Sequence, residues 1–228
     1  MDIHTYIRKE IDSHIDLKYK NFQSSLCPTI SEIEGVRVPV LRDIARTVSK
    51  REDVYQYLDY KHVTSYEEKT IYGLVIGYLK TDIKTYQFYL KEFIPLINNW
   101  ATCDIVCSNL KFTKSYKTEM YPFICSYLKS KKEYEVRFSI VMLMNYYLEE
   151  DTYKDVLKKV RVVKNKAYYV QMAESWLLSI CYIKHKKGTL EFLKSENIDS
   201  FVYKKTLQKI RESTRISKEE KEFIKTLE

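Results

Sequence analysis

Hydrophobic positions recur every three or four residues along almost the whole chain, as at Ile71, Leu74 and Tyr78, and this spacing is typical of one face of an α-helix. Start signals divide the pattern into segments, since Ser65 with Glu68 fits a capping box. The pattern predicts helices over about these ranges: 3–20, 39–49, 51–60, 65–79, 82–93, 100–112, 115–129, 133–148, 151–163, 166–184, 188–195, 200–211 and 217–227.

A short helix followed by a longer one recurs about every 30 to 45 residues, a period typical of stacked helix pairs. This arrangement predicts an all-α fold, a right-handed α-α superhelix of HEAT- or armadillo-like repeats with a concave basic groove. Equivalent positions of successive inner helices line the concave surface of such a stack, so we expect the functional site there. No linker rich in Pro, Gly or Ser divides the chain, and residues 1–228 are predicted to form a single domain.

The composition agrees with helices joined by short loops. Only 4 Gly and 4 Pro occur in 228 residues, whereas folds rich in strands and turns need many more turn residues. A content of 45% hydrophobic residues excludes a disordered chain. No apolar run reaches the roughly 18 residues of a membrane-spanning helix, and the N-terminus lacks the apolar core of a secretory signal. Together with five Cys, which fit a reducing compartment, these features predict a cytoplasmic protein with no membrane partner.

Charge is distributed unevenly along the chain. The 39 basic and 31 acidic side chains give a formal net charge of +8. Residues 1–99 hold 14 of each sign, so the excess falls on residues 100–228, with 25 basic and 17 acidic side chains. A localised positive field suits a polyanion such as nucleic acid, whose phosphates supply much of the binding free energy. A lysine-rich solvated surface explains the charge alone equally well.

Familiar catalytic signatures are missing from the sequence. It contains no phosphate-binding loop ending in Gly-Lys-Ser/Thr, no GxSxG and no HExxH. Cys103 and Cys107 lie four residues apart, but no further Cys or His at finger spacing completes a zinc site. We interpret these two Cys as core thiols, and expect neither a metal nor a small-molecule cofactor.

One group of residues stands out because it combines aromatic rings with charge. Trp100 and Asp104 are one helical turn apart and share a face. Arg137 follows Asp104 by 33 residues, and Trp176 follows Arg137 by 39, so each comes about one repeat after the last. Three helices would then project Trp, Asp, Arg and Trp into one cleft. Taken singly, each residue has an ordinary interpretation: a core Trp, a helix-face Asp, and an Arg paired with Glu133.

At these residues the sequence resembles the DNA alkylation repair family, the AlkD-like alkylpurine DNA glycosylases built of HEAT-like repeats. The resemblance runs from about residue 20 to the C-terminus, and the order and spacing of its short strings together make it specific. The matching strings are Gly35 to Pro39 with Leu41-Arg42, Trp100 to Asp104, Arg137-Phe138 with Val141 to Met144, Tyr168 to Ala173 with Ser175-Trp176, and Gln208 to Ser213.

The resemblance implies excision of positively charged purines, alkylated at N3 or N7, by hydrolysis of the N-glycosidic bond during base excision repair. Asp104 matches the catalytic carboxylate of the family. Trp100 and Trp176 match the aromatics that contact the deoxyribose and the lesion. Arg137 matches a residue placed near the DNA backbone. The implied substrate is double-stranded DNA containing alkylated bases, which would associate the protein with the nucleoid.

A lysine-rich segment between Arg137 and Trp176 is predicted to be a basic helix that contacts DNA phosphates. A solvated helix face is the alternative interpretation of this segment. Its basic residues are Lys154, Lys158, Lys159, Arg161, Lys164 and Lys166, against one acid, Asp155.

Two other functions remain open from the sequence. The first is a non-catalytic HEAT-like protein that binds damaged or branched DNA, since relatives that bind without excision exist. The second, a protein-binding solenoid, is disfavoured by the basic excess. We expect a monomer, because neither coiled-coil heptads nor an obvious exposed apolar stripe is present.

Overall fold

The protein is described by a computed structural model that covers residues 1–60, 62–194 and 198–227. Within these ranges the chain is helical and contains no strand, which confirms the predicted all-α class. The α-helices are α1 (Ile3–Ser13), α2 (Leu17–Leu26), α3 (Val38–Val48), α4 (Val54–Asp59), α5 (Tyr66–Tyr78), α6 (Ile83–Phe93), α7 (Trp100–Asn109), α8 (Lys117–Ser126), α9 (Glu133–Tyr146), α10 (Tyr153–Arg161), α11 (Tyr168–Lys184), α12 (Lys186–Leu193), α13 (Ser200–Glu212) and α14 (Lys218–Lys225).

The chain divides into two compact units, Met1–Glu119 and Met120–Glu228. In the first unit, α5 packs against α3 and α7. In the second unit, α11 packs against α9 and α13. Both α5 and α11 are buried on most sides, as expected for helices that are hydrophobic nearly all round. The single domain and the superhelix stay predictions.

Several predicted helix starts are confirmed. Ser65 and Glu68 form a complete capping box at α5, in which each side chain accepts a hydrogen bond from the other residue's backbone N–H. The oxygen of Asp199 caps α13 by accepting from the backbone N–H groups of its first turn. The predicted end of α12 at Ser195 lies outside the described residues.

The predicted helix over residues 3–20 is wrong, because the segment forms α1 and the start of α2. Asp16 separates them: its Oδ1 accepts hydrogen bonds from Lys18 N at 2.9 Å and Tyr19 N at 3.0 Å. Its own backbone N–H donates to Gly35 O at 3.0 Å. A residue that caps the next helix cannot also continue the previous one, so the apolar pattern across the junction belongs to two helices.

The segment before α3 is held by a buried carboxylate. Glu67 of α5 is fully buried, and its oxygens accept from Glu34 N at 2.9 Å, Gly35 N at 2.7 Å and Val36 N at 3.2 Å. Gly35 has φ +105°, and a Cβ there would lie 2.7 Å from Lys20 Cβ. Only glycine allows both this positive φ and the close approach of Lys20 without strain. The first of the matching strings therefore begins at a structural turn.

The second unit carries most of the net positive charge of the protein. Residues 120–228 hold 22 basic and 15 acidic side chains, whereas residues 1–119 hold 17 and 16. Among the described residues, no helix combines the length and the apolar character needed to cross a membrane.

Candidate functional site

The first turn of α7 presents Trp100 and Asp104 together. Asn99 caps the helix by accepting from Thr102 N at 2.7 Å through Oδ1. Trp100 and Asp104 are one turn apart and both partly exposed, whereas Ala101 and Cys103 between them are buried. The turn therefore offers an indole and a carboxylate to solvent on one side and anchors itself in the core on the other.

The end of α2 fixes the orientation of the Trp100 ring. The indole Nε1–H donates to the backbone oxygen of Leu26 at 3.2 Å, one of the terminal carbonyls of α2. The Cys27 thiol, one residue past the end of α2, lies beside the backbone of Ala101, and burial raises its pKa. Two contacts thus join the end of α2 to the start of α7.

Close packing against α5 fixes α7 at its far end. Gly77 faces Asn109, and a Cβ at Gly77 would lie 2.4 Å from Asn109 Nδ2. The same Nδ2 donates to Leu74 O at 3.1 Å. One turn earlier, a Cβ at Gly73 would lie 2.6 Å from Val106 Cγ2. The two glycines allow the backbones to approach closely, so the spacing of α5 and α7 is set by residues without side chains.

Arg137 of α9 is buried, with 5% of its surface exposed. Its Nη1 donates to Tyr169 O at 2.8 Å, and its Cζ lies 5.9 Å from the centre of the Tyr169 ring. The backbone N–H of Tyr169 donates to Glu133 Oε1 at 2.7 Å. Arg137 is therefore held between α9 and the first turn of α11 rather than extended into solvent.

Trp176 is partly exposed on α11, with the buried residues Ser175 and Leu177 on either side. Nearby on the same helix, Glu174 is buried at 4% exposure. It lines a cavity of about 30 Å³ together with Lys166 and Asp199. Burial raises the pKa of Glu174 to about 7.

The four predicted site residues form two pairs. Trp100 and Asp104 lie on one helix of the first unit. Arg137 and Trp176 lie on α9 and α11 of the second unit, which pack against each other. That the two pairs face one ligand stays a prediction.

The predicted basic helix is shorter than its run of lysines. Its apolar face is buried, as Val156, Leu157 and Val160 show. The helix ends at Arg161, so Lys164 and Lys166 lie on the connection to α11, and the expectation of one helix to Lys166 is wrong. All six basic side chains are exposed: Lys154, Lys158, Lys159, Arg161, Lys164 and Lys166. Within the described residues, Lys166 is the one of the six that approaches a carboxylate, at 4.0 Å from Asp199 Oδ2.

A groove of about 1010 Å³ lies beside this basic surface in the second unit. Its lining includes three lysines: Lys129, Lys159 and Lys164. The rest of the lining is largely apolar and includes Leu128 and Val163, and among the residues that the structure describes none of those lining the groove is acidic.

The cysteines behave as predicted, since Cys103 and Cys107 are both buried thiols. The described ranges contain no group of three or more His, Cys, Asp or Glu placed to hold a metal ion. The first unit offers a partly exposed carboxylate one helical turn from a partly exposed indole. Both attract a positively charged group, the first by Coulomb attraction and the second through its ring quadrupole.

Three residues described here were not identified from the sequence: Thr70 and Thr102, which support the first turn of α7, and Glu174 of α11. Thr70 contacts Thr102 across 32 positions of sequence, so its role depends on helix packing. Glu174 interrupts an apolar face of α11, and a carboxyl at a core position is the one signal that the sequence offers.

The sequence matches the family model described as DNA alkylation repair enzyme over residues 7–216 of the 228. The family expected from the sequence resemblance is thereby confirmed. No curated protein matches the chain.

Proposed function

Since the chain belongs to the DNA alkylation repair enzyme family, we propose that it is a monofunctional DNA glycosylase. Its substrates would be purines that carry a positive charge because they are alkylated at N3 or N7. The observation that carries this proposal is the placement of Asp104, partly exposed and one turn from the partly exposed Trp100. A carboxylate sealed in the core would have no access to a sugar.

The reaction needs little acid catalysis from the protein. The positive charge of an alkylated purine already weakens the bond to C1′ of the deoxyribose, and the electron pair of that bond leaves with the base, which becomes neutral. The sugar develops positive charge as the bond breaks. Asp104 would stabilise this charge and orient the attacking water, whose oxygen bonds to C1′ and whose proton passes to Asp104 or to solvent.

The remaining residues would bind the substrate. Indole faces attract cations by about 0.5 to 2 kcal/mol each, which suits Trp100 and Trp176 to a cationic base or sugar. Arg137 and the six exposed cations at and after α10 would attract the phosphates of double-stranded DNA. A chromosomal substrate would place the protein on the nucleoid in the cytoplasm, where we propose that it acts as a monomer.

Replacement of Asp104 by Asn tests the proposal. We expect Asp104→Asn to release no detectable 7-methylguanine or 3-methyladenine from DNA treated with N-methyl-N-nitrosourea, and to bind that DNA with nearly parental affinity. Asp43→Asn removes the same charge from an exposed position of the first unit and serves as the matched control. Base release by Asp104→Asn at the parental rate would contradict the assignment. DNA binding by the parent protein without base release would indicate the non-catalytic function instead.

A further inference from the structure

A chain of buried hydrogen bonds joins the first turn of α7 to α5. Asn99 Nδ2 lies 3.0 Å from Thr102 Oγ1, and Thr102 Oγ1 lies 3.1 Å from Thr70 Oγ1. Thr70 Oγ1 in turn lies 2.7 Å from Tyr66 O. Asn99 is 1% exposed, and both threonines are fully buried. Water therefore does not compete for these groups.

The direction of every bond in the chain is fixed. A carbonyl oxygen only accepts, so Thr70 donates its single hydroxyl hydrogen to Tyr66 O. Thr102 must then donate to Thr70, and the Thr102 oxygen accepts from the amide of Asn99. Each threonine hydroxyl therefore donates to one acceptor, and the series of hydrogen bonds leads from Asn99, the cap of α7, to the backbone of α5.

The chain acts at the turn that carries the candidate site. Thr102 lies midway between Trp100 and Asp104, two residues from each. The same Asn99 that begins the chain also caps α7 through its Oδ1. The rotation and the height of this turn relative to α5 are thereby set by hydrogen-bond geometry in addition to apolar packing.

We propose that Thr70 and Thr102 are positioning residues for Trp100 and Asp104. The inference rests on the proposed glycosylase function. Neither threonine touches the substrate: both act through α7, by holding it where Asp104 meets the reacting sugar. A misplacement of about 1 Å costs up to about 100-fold in rate even when the fold persists. Loss of the Thr102 hydroxyl also removes the acceptor for a buried amide hydrogen of Asn99.

The test replaces each hydroxyl by a methyl group of similar size. We expect Thr102→Val and Thr70→Val each to lower kcat for base release by about 10-fold or more, with KM for methylated DNA within about two-fold of the parent. Thr102→Ser keeps the hydroxyl and should restore kcat to within about three-fold. The double variant should be no slower than the slower single variant, because the chain works as a unit.

Thr206→Val is the matched control. Thr206 is fully buried, and its hydroxyl donates to Val202 O at 2.7 Å within α13. The substitution removes the same group from the core with no link to α7, and we expect parental kcat at a temperature where circular dichroism shows every variant to be folded. Parental kcat for Thr102→Val, failure of Thr102→Ser to restore it, or an equal loss for Thr206→Val would each overturn the inference.

A second readout separates this inference from the proposed function. In a Trp176→Phe background, Trp100 is the only tryptophan. We expect Thr102→Val to increase the quenching of Trp100 fluorescence by acrylamide, and Thr206→Val to leave it unchanged. If the parent protein releases no base, the proposed function fails, and the fluorescence alone decides on positioning. Unchanged quenching of Trp100 in Thr102→Val would then overturn the inference that Thr102 is a positioning residue.

Discussion

Glu174 is a buried carboxyl that folding places next to two opposite charges. Lys166 and Asp199 share its small cavity with Arg161, and they act on its charge in opposite senses. Burial has the largest effect and raises the pKa of Glu174, Lys166 lowers it, and Asp199 raises it further. The pKa in the folded protein is about 7, against an ordinary value of 4.5. Between about pH 4.5 and pH 7, the Glu174 carboxyl is therefore protonated in the folded protein and ionised in the unfolded chain.

This shift predicts how stability changes with pH. A carboxyl whose folded pKa is raised contributes stability below the unfolded pKa and loses it as pH rises through the folded pKa. As the pH rises from about 4.5 to about 7, we expect the free energy of unfolding of the parent to fall by about 2 to 3 kcal/mol because of Glu174. The Glu174→Gln variant should lack this decrease and be more stable than the parent at about pH 8. Urea unfolding across this range measures the effect.

Glu191→Gln controls for the loss of one carboxyl, because Glu191 is exposed on α12. Its stability should follow that of the parent at every pH. A pH profile of Glu174→Gln parallel to that of the parent would contradict a raised pKa in the folded state.

Local residue patterns predicted some features of the site, and tertiary packing determined the rest. The spacing of Trp100 and Asp104 follows from helix periodicity alone, so the sequence predicts their shared face. The hydrogen bond from Thr102 to Thr70 and the one from Trp100 to Leu26 span 32 and 74 positions. Such partners are decided by which helices pack together, and spacing within one helix carries no information about them.

At the scale of the helix, α5 and α7 pack closely at Gly77. Ala favours helix formation over Gly by about 1 kcal/mol, but a Cβ at Gly77 would lie 2.4 Å from Asn109 Nδ2 and 2.9 Å from Asn109 O. The backbone oxygen cannot move without the helix. We expect Gly77→Ala to destabilise the protein by about 1 to 3 kcal/mol in urea unfolding and to slow base release.

Gly188→Ala provides the comparison. The nearest atom there is the hydroxyl oxygen of Tyr153 at 2.5 Å, the end of a side chain rather than backbone. We expect Gly188→Ala to lower the free energy of unfolding by less than Gly77→Ala does and to leave the position of α7 unchanged. Equal stability losses for the two variants would argue against a special role of the α5 and α7 spacing.

Helix boundaries show the same limit of sequence information. Ser65 and Glu68 signal a start that the structure has, because a capping box is a local hydrogen-bond pattern. The junction between α1 and α2 was not predicted, because Ile15 and Leu17 continue the apolar pattern while remaining 42% and 70% exposed. Asp16 turns the chain there by bonding to Gly35, a partner 19 positions away.

At the scale of the whole molecule, the basic excess of the second unit predicts salt-sensitive DNA binding. Each phosphate neutralised by a cation contributes about 0.9 to the slope of log K against log salt concentration. We expect the triple variant Lys154→Gln, Lys158→Gln and Lys159→Gln to bind DNA more weakly and to lower that slope by about 2 to 3. Fluorescence anisotropy at several salt concentrations measures both quantities.

The control for this variant changes the same charge on another helix of the same unit. Lys218→Gln, Lys221→Gln and Lys225→Gln remove three cations from α14. If α10 contacts phosphates, the control keeps the parental slope. Identical slopes for both triple variants would show that the net charge matters and that α10 has no special role.

The hydrogen bond from Trp100 to Leu26 restricts what this ring can recognise. An indole has a single polar hydrogen, and here the end of α2 already receives it. Any molecule that reaches the ring meets carbon alone, and is selected for flatness and positive charge rather than for an edge of donors and acceptors. Indifference to base sequence is what a protein needs when damage arises anywhere in a genome.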